Sequence, residues 1–271
     1  MVVRVGLVGC GTIGARLANA LEHRYARAAT LVALHDCDRA HAARLQRQLR
    51  SHPPIVPLAT LIRRSHLVLE AASAAAAGDV AARALRAHRD VLVMSVGGLL
   101  LSSRWRRILS RSRGKLYIPS GALAGLDGVK AMAVGRLTRM TLTSRKPPRA
   151  LASAAYVRRK RLHLERLRRP TLIFEGTPRQ AITAFPQNTN IASALTLAGG
   201  INRRGASPRI RVVADPAIRR NVHELVVEGD CGRIVCAIES RPSANPKTSE
   251  LAVRSAVATL GRFFDRVQIG T

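Results

Sequence analysis

Aromatic residues are scarce in this 271-residue chain, at 3% of the total. Flat stacking surfaces for unpaired bases are therefore few, which counts against a protein specialised for single-stranded nucleic acid. No apolar run approaches the ~20 residues of a membrane-spanning helix, so we expect no integral membrane protein. The N-terminus lacks the ordered basic, apolar and small-residue regions of a signal peptide, so we expect none.

Cysteine is also infrequent, and the four cysteines form neither a disulfide framework nor a CxxC pair. We see no cluster of His, Cys, Asp and Glu at metal-ligand spacing, so we expect no metal site. Together these features favour a cytoplasmic protein with reduced thiols.

Acidic residues are outnumbered, with 16 Asp and Glu against 45 Lys and Arg, which gives a net charge of +29. Such an excess attracts anions, including nucleotides and dicarboxylates. The arginines are spread along the whole chain instead of forming one tail, so we interpret them as a basic solvated surface. We expect nucleic acid to bind this surface only nonspecifically. The hydrophobic fraction of 47% excludes a disordered chain.

Strand-like and helix-like segments alternate through the first 119 residues. The apolar runs are separated by amphipathic stretches, a pattern typical of βαβ units. It predicts an α/β fold: a doubly wound parallel sheet of the Rossmann type over residues 1–119. The predicted strands are 2–8, 31–36, 67–73, 90–96 and 115–121. Between the last two, the stretch LLLSSRWRRILSRS is predicted to form one helix.

The pattern changes from residue 120 onward, where strands dominate. Two helical segments interrupt them, and Gly232 marks a hairpin between the last two strands. Residues 120–246 are therefore expected to form a smaller α+β domain with a mostly antiparallel sheet. Residues 247–271 contain a long amphipathic helix. The predicted strands are 140–146, 171–176, 210–215, 223–230 and 232–240.

The motif Gly9-x-Gly11-x-x-Gly14 follows the first strand and opens a helix, as a dinucleotide-binding loop does. Gly9 permits the tight turn, Gly11 lets the backbone approach a pyrophosphate, and Gly14 allows close packing of helix and strand. Thr12 and Ile13 lie at the helix N-terminus, where free N–H groups favour phosphate.

Asp36 ends the second strand, 22 residues after Gly14. At that spacing its carboxylate would accept hydrogen bonds from the adenosine ribose and repel a 2′-phosphate, which favours NAD, with NADP also possible. The alternative is an ordinary turn residue at a strand end.

Small residues occupy the loops after the later strands, which should face the same crevice. Tight turns would have the same composition, so each loop alone is weak evidence. The cofactor-facing candidates are Ala72, Ser73, Ser95, Val96, Gly97 and Ala122.

Polar residues in the second half supply the candidates for chemistry. His223 begins an apolar strand, and imidazole is the usual general base near neutral pH, although most histidines are surface or capping residues. Asn188 and Asn190 orient a carboxamide or cap the helix that follows them.

Cationic groups are the natural partners of a substrate carboxylate. The candidates are Arg145, Lys146 and Lys247, each of which is also explained as one more surface charge in so basic a chain.

Several segments, in order along residues 1–271, resemble the L-aspartate dehydrogenase family. They include GLVGCGTIG, LEAAS, MSVGGL, IPSGALAGLDG, TSRKPP, FPQNTNIASAL and VVADPAIRRNVHELVVEGD. The resemblance implies NAD(P)-dependent oxidation of L-aspartate to iminoaspartate, which hydrolyses to oxaloacetate and ammonia, in the reversible reaction linked to NAD biosynthesis.

The same resemblance assigns roles to individual residues. It implies that His223 is catalytic and that Ala122 and Asn190 contact the nicotinamide side of the cofactor, with Ala124 as a second alignment for Ala122. It also implies that the C-terminal helix packs back on the first domain and that the chain forms a homodimer or larger homo-oligomer.

Two other functions are also compatible with the sequence. One is another Rossmann oxidoreductase with the architecture of dihydrodipicolinate reductase, which a substrate panel would distinguish. The other is a non-catalytic relative that binds nucleotides or nucleic acid, for which a steep loss of affinity with salt would be diagnostic.

Overall fold

The computed structural model describes residues 2–185, 190–200, 206–241 and 249–270. The chain forms two compact units. Unit 1 comprises Met1–Pro119 and Val253–Gln268, and unit 2 comprises Ser120–Ala252 and Ile269–Thr271. Among the helices that the structure describes, none is both long enough and apolar enough to cross a membrane.

Unit 1 alternates strands and helices in the predicted manner. Its elements before residue 120 are β1 (Val3–Val8), α1 (Thr12–His23), β2 (Ala29–His35), α2 (Arg39–Gln48), α3 (Leu58–Arg64), β3 (Leu67–Glu70), α4 (Ala74–Arg86), β4 (Asp90–Val93), α5 (Gly97–Leu101), α6 (Arg104–Leu109) and β5 (Leu116–Tyr117).

The five strands of unit 1 form one parallel sheet in the order β2-β1-β3-β4-β5. Strand residues alternate between its two faces. Val5 and Leu7 of β1 join a core with apolar residues of α1 and α2. Gly6 faces the other way, where a Cβ would lie 2.5 Å from the Leu61 side chain of α3. Both faces are therefore covered, and the predicted Rossmann sheet is confirmed.

The C-terminal helix α12 (Glu250–Phe264) contributes its later turns to unit 1. Its Phe264 ring lies 4.8 Å from the ring of Tyr25, and its Phe263 ring lies 4.2 Å from that of Tyr117. Leu260 is fully buried in the same core. Four of the few aromatic residues thus attach this helix to unit 1, where each pair adds about 0.5–1.5 kcal/mol beyond area burial.

Unit 2 contains short helices around a second sheet. Its elements are α7 (Leu126–Met132), β6 (Leu137–Lys146), α8 (Pro148–Leu151), α9 (Ala155–Arg159), a 3-10 turn (Leu164–Arg166), β7 (Thr171–Gly176), α10 (Pro178–Ala184), α11 (Asn190–Ala198), β8 (Arg209–Ala214), β9 (Asn221–Gly229) and β10 (Gly232–Ser240).

The second sheet has the strand order β10-β9-β6-β8-β7. Its neighbours run antiparallel except for the parallel pair β6 and β8, so the expected mostly antiparallel sheet is confirmed. Gly232 pairs with Gly229 at a positive φ of 133°, which closes the predicted hairpin. One face of this sheet is buried beneath residues of α7, α10 and α11.

Two local predictions were wrong. The stretch after β4 was predicted as one helix, but the extended Ser102 divides it into α5 and α6. The Trp105 Nε1 donates to the Leu99 carbonyl at 2.9 Å, so a side chain from α6 satisfies a carbonyl of α5. In the segment predicted as strand 115–121, only β5 is strand, because pairing with β4 covers just Leu116 and Tyr117.

Candidate active site

The glycine-rich loop of unit 1 follows β1 at the carboxyl end of the parallel sheet. Gly9 has a positive φ of 93°, and a Cβ there would lie 2.5 Å from the backbone of Ala71 and Ala72. A Cβ on Gly14 would lie only 1.9 Å from the Gly9 carbonyl oxygen. Around Gly11, in contrast, no atom of the described residues other than Gly11 and its two chain neighbours lies within 4 Å of a Cβ position. Two glycines are thus required by the fold itself, and Gly11 borders open space.

The N-terminus of α1 fits an anion. Gly11 is its N-cap and has no side chain to cap the first N–H groups, and the first turn contains no acidic residue. Thr12 is exposed there and Ile13 is half-buried. Unsatisfied N–H groups together with the helix dipole form an anion-binding site. The residues present therefore match the phosphates of a dinucleotide.

Asp36 lies one residue beyond β2 and is joined to the glycine-rich loop. Its Oδ2 accepts from the Cys10 N–H at 2.7 Å, and its Oδ1 accepts from the Asp38 N–H at 2.9 Å. Partial burial opposes ionisation, but these N–H donors hold the pKa of Asp36 below its ordinary value. The carboxylate is thus ionised at neutral pH, as an acceptor for ribose hydroxyls requires.

Glu70 ends β3 and is completely buried. Its Oε1 accepts from the Ala72 N–H at 2.9 Å, and its Oε2 accepts from the Ser95 N–H at 3.0 Å. Burial raises the pKa of this carboxyl above its ordinary value, although the N–H groups of Ser95 and Ala72 act in the opposite sense. One side chain therefore connects the loop after β3 to the loop after β4.

The other small residues of these loops also lie at the carboxyl ends of the strands. Ser73 caps α4, where its Oγ accepts from the Ala76 N–H at 3.3 Å. Val96 and Gly97 are buried, at the start of α5. The structure thus assembles the cofactor-facing candidates of unit 1 along the carboxyl ends of its strands.

His223 is the central polar residue on the buried face of unit 2. It is 5% exposed and lies on β9 opposite Ser144 of β6 and Ile238 of β10. The Ser144 Oγ and His223 Nδ1 lie 3.1 Å apart, within hydrogen-bond distance. Burial, followed by the positive charge of Lys146, lowers the pKa of His223 to about 3. The imidazole is therefore neutral at neutral pH.

Lys146 lies two residues beyond Ser144 on the same face of β6, with an exposed fraction of 6%. Burial lowers the pKa of its ammonium group to about 8. Together with Ser144, Ile191 and Ala192, it lines a small apolar cavity beneath α11. A cation and a neutral imidazole therefore share one side of the sheet.

Arg145 faces the opposite side of the sheet from Lys146, since consecutive strand residues alternate. Its Nη2 lies 2.6 Å from the buried Asp215 Oδ2, and its Nη1 lies 3.3 Å from Glu224 Oε1. Because two carboxylates engage it, the guanidinium is explained as part of the sheet's own structure.

The loop that contains Ala122 lies near the first turn of α11, which Asn190 begins. Ala122 is buried, and a Cβ on the preceding Gly121 would lie 3.7 Å from Ile191 Cγ2. Asn190 is exposed and begins α11, one residue before Ile191. The loop after residue 119 thus reaches the first turn of this helix.

Comparison with known proteins identifies the family. A family described as aspartate dehydrogenase, C-terminal, matches residues 127–263, and one described as homoserine dehydrogenase, NAD binding domain, matches residues 9–119. L-aspartate dehydrogenase from Methanosarcina barkeri is 40% identical over 99% of this chain and 100% of its own. The chain belongs to the L-aspartate dehydrogenase family. The resemblance noted in the sequence is confirmed.

Other relatives agree with this assignment. L-aspartate dehydrogenase from Methanosarcina acetivorans is 39% identical over 99% of this chain and 100% of its own. The crystal structure of aspartate dehydrogenase from Thermotoga maritima matches the fold with a TM-score of 0.73, covering both chains fully at 22% identity. This member of the family is thus an NAD(P)-dependent oxidoreductase, with unit 1 as its NAD-binding part.

Sequence reasoning missed two buried polar residues, Glu70 and Ser144. An acid within the apolar run LVLE was the available signal for Glu70. Ser144 gave none, since its partner lies 79 residues away. Two predicted residues, Asn188 and Lys247, lie outside the described part of the chain.

A Glu70→Gln variant is expected to lose about 1–3 kcal/mol of unfolding free energy. Glutamine keeps the shape but replaces one acceptor oxygen with an NH₂ group, so either the Ala72 or the Ser95 N–H faces a donor. Denaturant unfolding measures the loss. The exposed Asp79→Asn serves as the control and should stay within about 0.5 kcal/mol of the parent. Equal stability of the two variants would show that Glu70 holds neither loop.

The contribution of Lys146 to stability should rise with pH above about pH 8. Its folded pKa of about 8 lies below the ordinary 10.5, so between these values the unfolded chain binds the additional proton. The expected gain from this residue is about 3 kcal/mol over that window. Lys146→Met should lose this component, measured as the difference between parent and variant unfolding curves. If the difference in unfolding free energy between parent and variant does not change with pH, burial does not destabilise the charged form of Lys146.

Proposed function

We propose that the chain catalyses oxidative deamination of L-aspartate to iminoaspartate, which hydrolyses to oxaloacetate and ammonia, and that the reaction runs in both directions. The observation that carries this is the buried Ser144–His223 pair with Lys146 on the same face. It occurs in a chain that aligns along its length with curated L-aspartate dehydrogenases. The neutral imidazole can take a proton from a substrate amine, and the neighbouring ammonium group can pair with a substrate carboxylate.

The cofactor is assigned to the carboxyl ends of the parallel strands of unit 1. Gly9, Gly11 and Gly14 receive the pyrophosphate with the N–H groups of Thr12 and Ile13, and Asp36 accepts from the ribose. Asp36 favours NAD over NADP because a 2′-phosphate would meet its negative charge. Further cofactor contacts are assigned to Ala72, Ser73, Ser95, Val96, Gly97, Ala122 and Asn190.

His223 acts as the general base. NAD(P), when bound, would supply the acceptor for the hydride of the substrate α-carbon. The substrate ammonium first gives a proton to His223, and the nitrogen lone pair then forms the C=N bond as the hydride leaves. The same imidazole is also suited to activate the water that attacks the imine. When the Nδ1–H donates to the Ser144 hydroxyl, this hydrogen bond sets the tautomer and leaves Nε2 as the nitrogen that accepts the proton in either role.

Lys146 is the substrate-carboxylate partner that the geometry favours. It is on the same face as His223, and Arg145 is held on the other face by Asp215 and Glu224. Asn188 and Lys247 stay candidates from the sequence.

Product analysis in the reductive direction tests the proposal. Protein, oxaloacetate, ammonium and NADH are mixed, and the amino acid formed is resolved by chiral chromatography. L-Aspartate formation coupled to NADH loss is expected, with pyruvate and 2-oxoglutarate much slower. Repeating the reaction with NADPH, in the parent and in Asp36→Ser, tests the cofactor assignment: the variant should use NADPH relatively better. NADH loss without aspartate would overturn the proposed reaction.

A cytoplasmic homodimer or larger homo-oligomer is part of the same proposal. The family resemblance supports the oligomer, and the four free cysteines are compatible with a reducing compartment. Light scattering coupled to size-exclusion chromatography measures the mass, and a monomer at working concentration would refute the oligomer.

A further inference from the structure

Lys146 and His223 form a diagonal pair on one sheet face. Ser144 pairs with His223 across the antiparallel strands β6 and β9, and Lys146 follows Ser144 by two residues. Diagonal neighbours of this kind lie about 7–8 Å apart between backbones, within reach of a long side chain. Both residues are at least 94% buried, so little water screens the charge that one presents to the other.

Few other charges surround His223 among the residues that the structure describes. On β10 its partner is Ile238, flanked on the same face by Cys236 and Ser240. Glu224, next to it on β9, faces the other way and contacts Arg145. The charged residues of α7 and α10 (Asp127, Lys130 and Arg179) are exposed, and α11 has no titratable side chain. Burial is the larger cause of the lowered pKa of His223, and among the described residues Lys146 is the charge that lowers it further.

We propose that Lys146 makes proton acceptance by His223 depend on a bound carboxylate. When no anion is present, the ammonium group disfavours a second positive charge on the imidazole. When a substrate carboxylate pairs with Lys146, that charge is offset, and His223 becomes a better acceptor for the proton that leaves the substrate nitrogen. Lys146 is then a positioning and gating residue for a dicarboxylate substrate. This inference rests on the proposed function.

The direct test follows the protonation of His223 by NMR with imidazole-¹⁵N histidine, from about pH 5 to about pH 8. His223→Gln assigns the signal, and succinate is the probe because it has two carboxylates and no amine to oxidise. Without succinate, His223 is expected to stay neutral throughout. With saturating succinate, its titration midpoint should rise from about 3 to above about pH 5 and so enter this range. If His223 of the parent protein stays neutral over the whole range with succinate bound, the proposal is overturned.

Variants of Lys146 test whether the coupling runs through its charge. In Lys146→Met, His223 should titrate at higher pH than in the parent, and succinate should no longer move it. Lys146→Arg keeps the charge and should keep the response. The exposed Lys160→Met removes the same charge elsewhere and should behave as the parent. An equal succinate response in Lys146→Met would refute the role of Lys146, and the parent titration decides the question even if that variant does not fold.

Turnover separates this inference from the proposed function. If the parent oxidises L-aspartate but succinate leaves His223 unchanged, only the gating is wrong. If succinate moves His223 but no amino acid is oxidised, the coupling holds and the proposed reaction fails.

Discussion

Replacing His223 with alanine is expected to lower L-aspartate turnover by about 100-fold or more, with NAD(P) affinity nearly unchanged. The imidazole is buried, neutral and held by Ser144, which suits proton transfer. It lies in unit 2, whereas the glycine-rich loop belongs to unit 1. Steady-state kinetics gives kcat, and NAD(P) titration gives the cofactor affinity.

A matched control is His163→Ala, because His163 is an exposed histidine of the same unit. It should retain parental turnover. Full turnover in His223→Ala, with the fold intact by circular dichroism, would show that His223 has a structural role alone.

Replacing Gly11 with valine should weaken NAD(P) binding roughly tenfold or more while the protein stays folded. In the part of the chain that the structure describes, only the two neighbours of Gly11 come within 4 Å of a Cβ at this position, so the fold accepts the side chain. That side chain would occupy the approach of a pyrophosphate. Fluorescence titration of the reduced cofactor measures affinity, and thermal unfolding measures stability.

Gly14→Ala provides the contrast. Its Cβ would meet the Gly9 carbonyl at 1.9 Å, so overpacking should cost about 1–3 kcal/mol of stability. If Gly11→Val binds NAD(P) as tightly as the parent protein, the pyrophosphate does not bind at Gly11.

Local spacing made unit 1 predictable. The glycine motif and Asp36 belong to one strand–helix–strand segment, so the sequence alone places them at one end of the sheet. The role of Glu70 was not predictable in the same way, because its partner Ser95 is 25 residues away and comes near it only through the pairing of β3 and β4.

Strand alternation placed Arg145 and Lys146 on opposite faces, but the sequence did not reveal which face is buried. That depends on β9, which lies far along the chain and pairs with β6. The division at Ser102 was missed for a similar reason, since the Trp105 indole reaches back to a carbonyl of the preceding helix. Tertiary contacts of this kind leave no periodic signal in the sequence.

The most direct measurement is absorbance in the NADH band after mixing the protein with L-aspartate and NAD, with D-aspartate, L-glutamate and NADP in parallel. NADH formation is expected with L-aspartate, and little or none with D-aspartate or L-glutamate. Silence with every amino acid, in protein that still binds NAD(P), would contradict the proposed reaction.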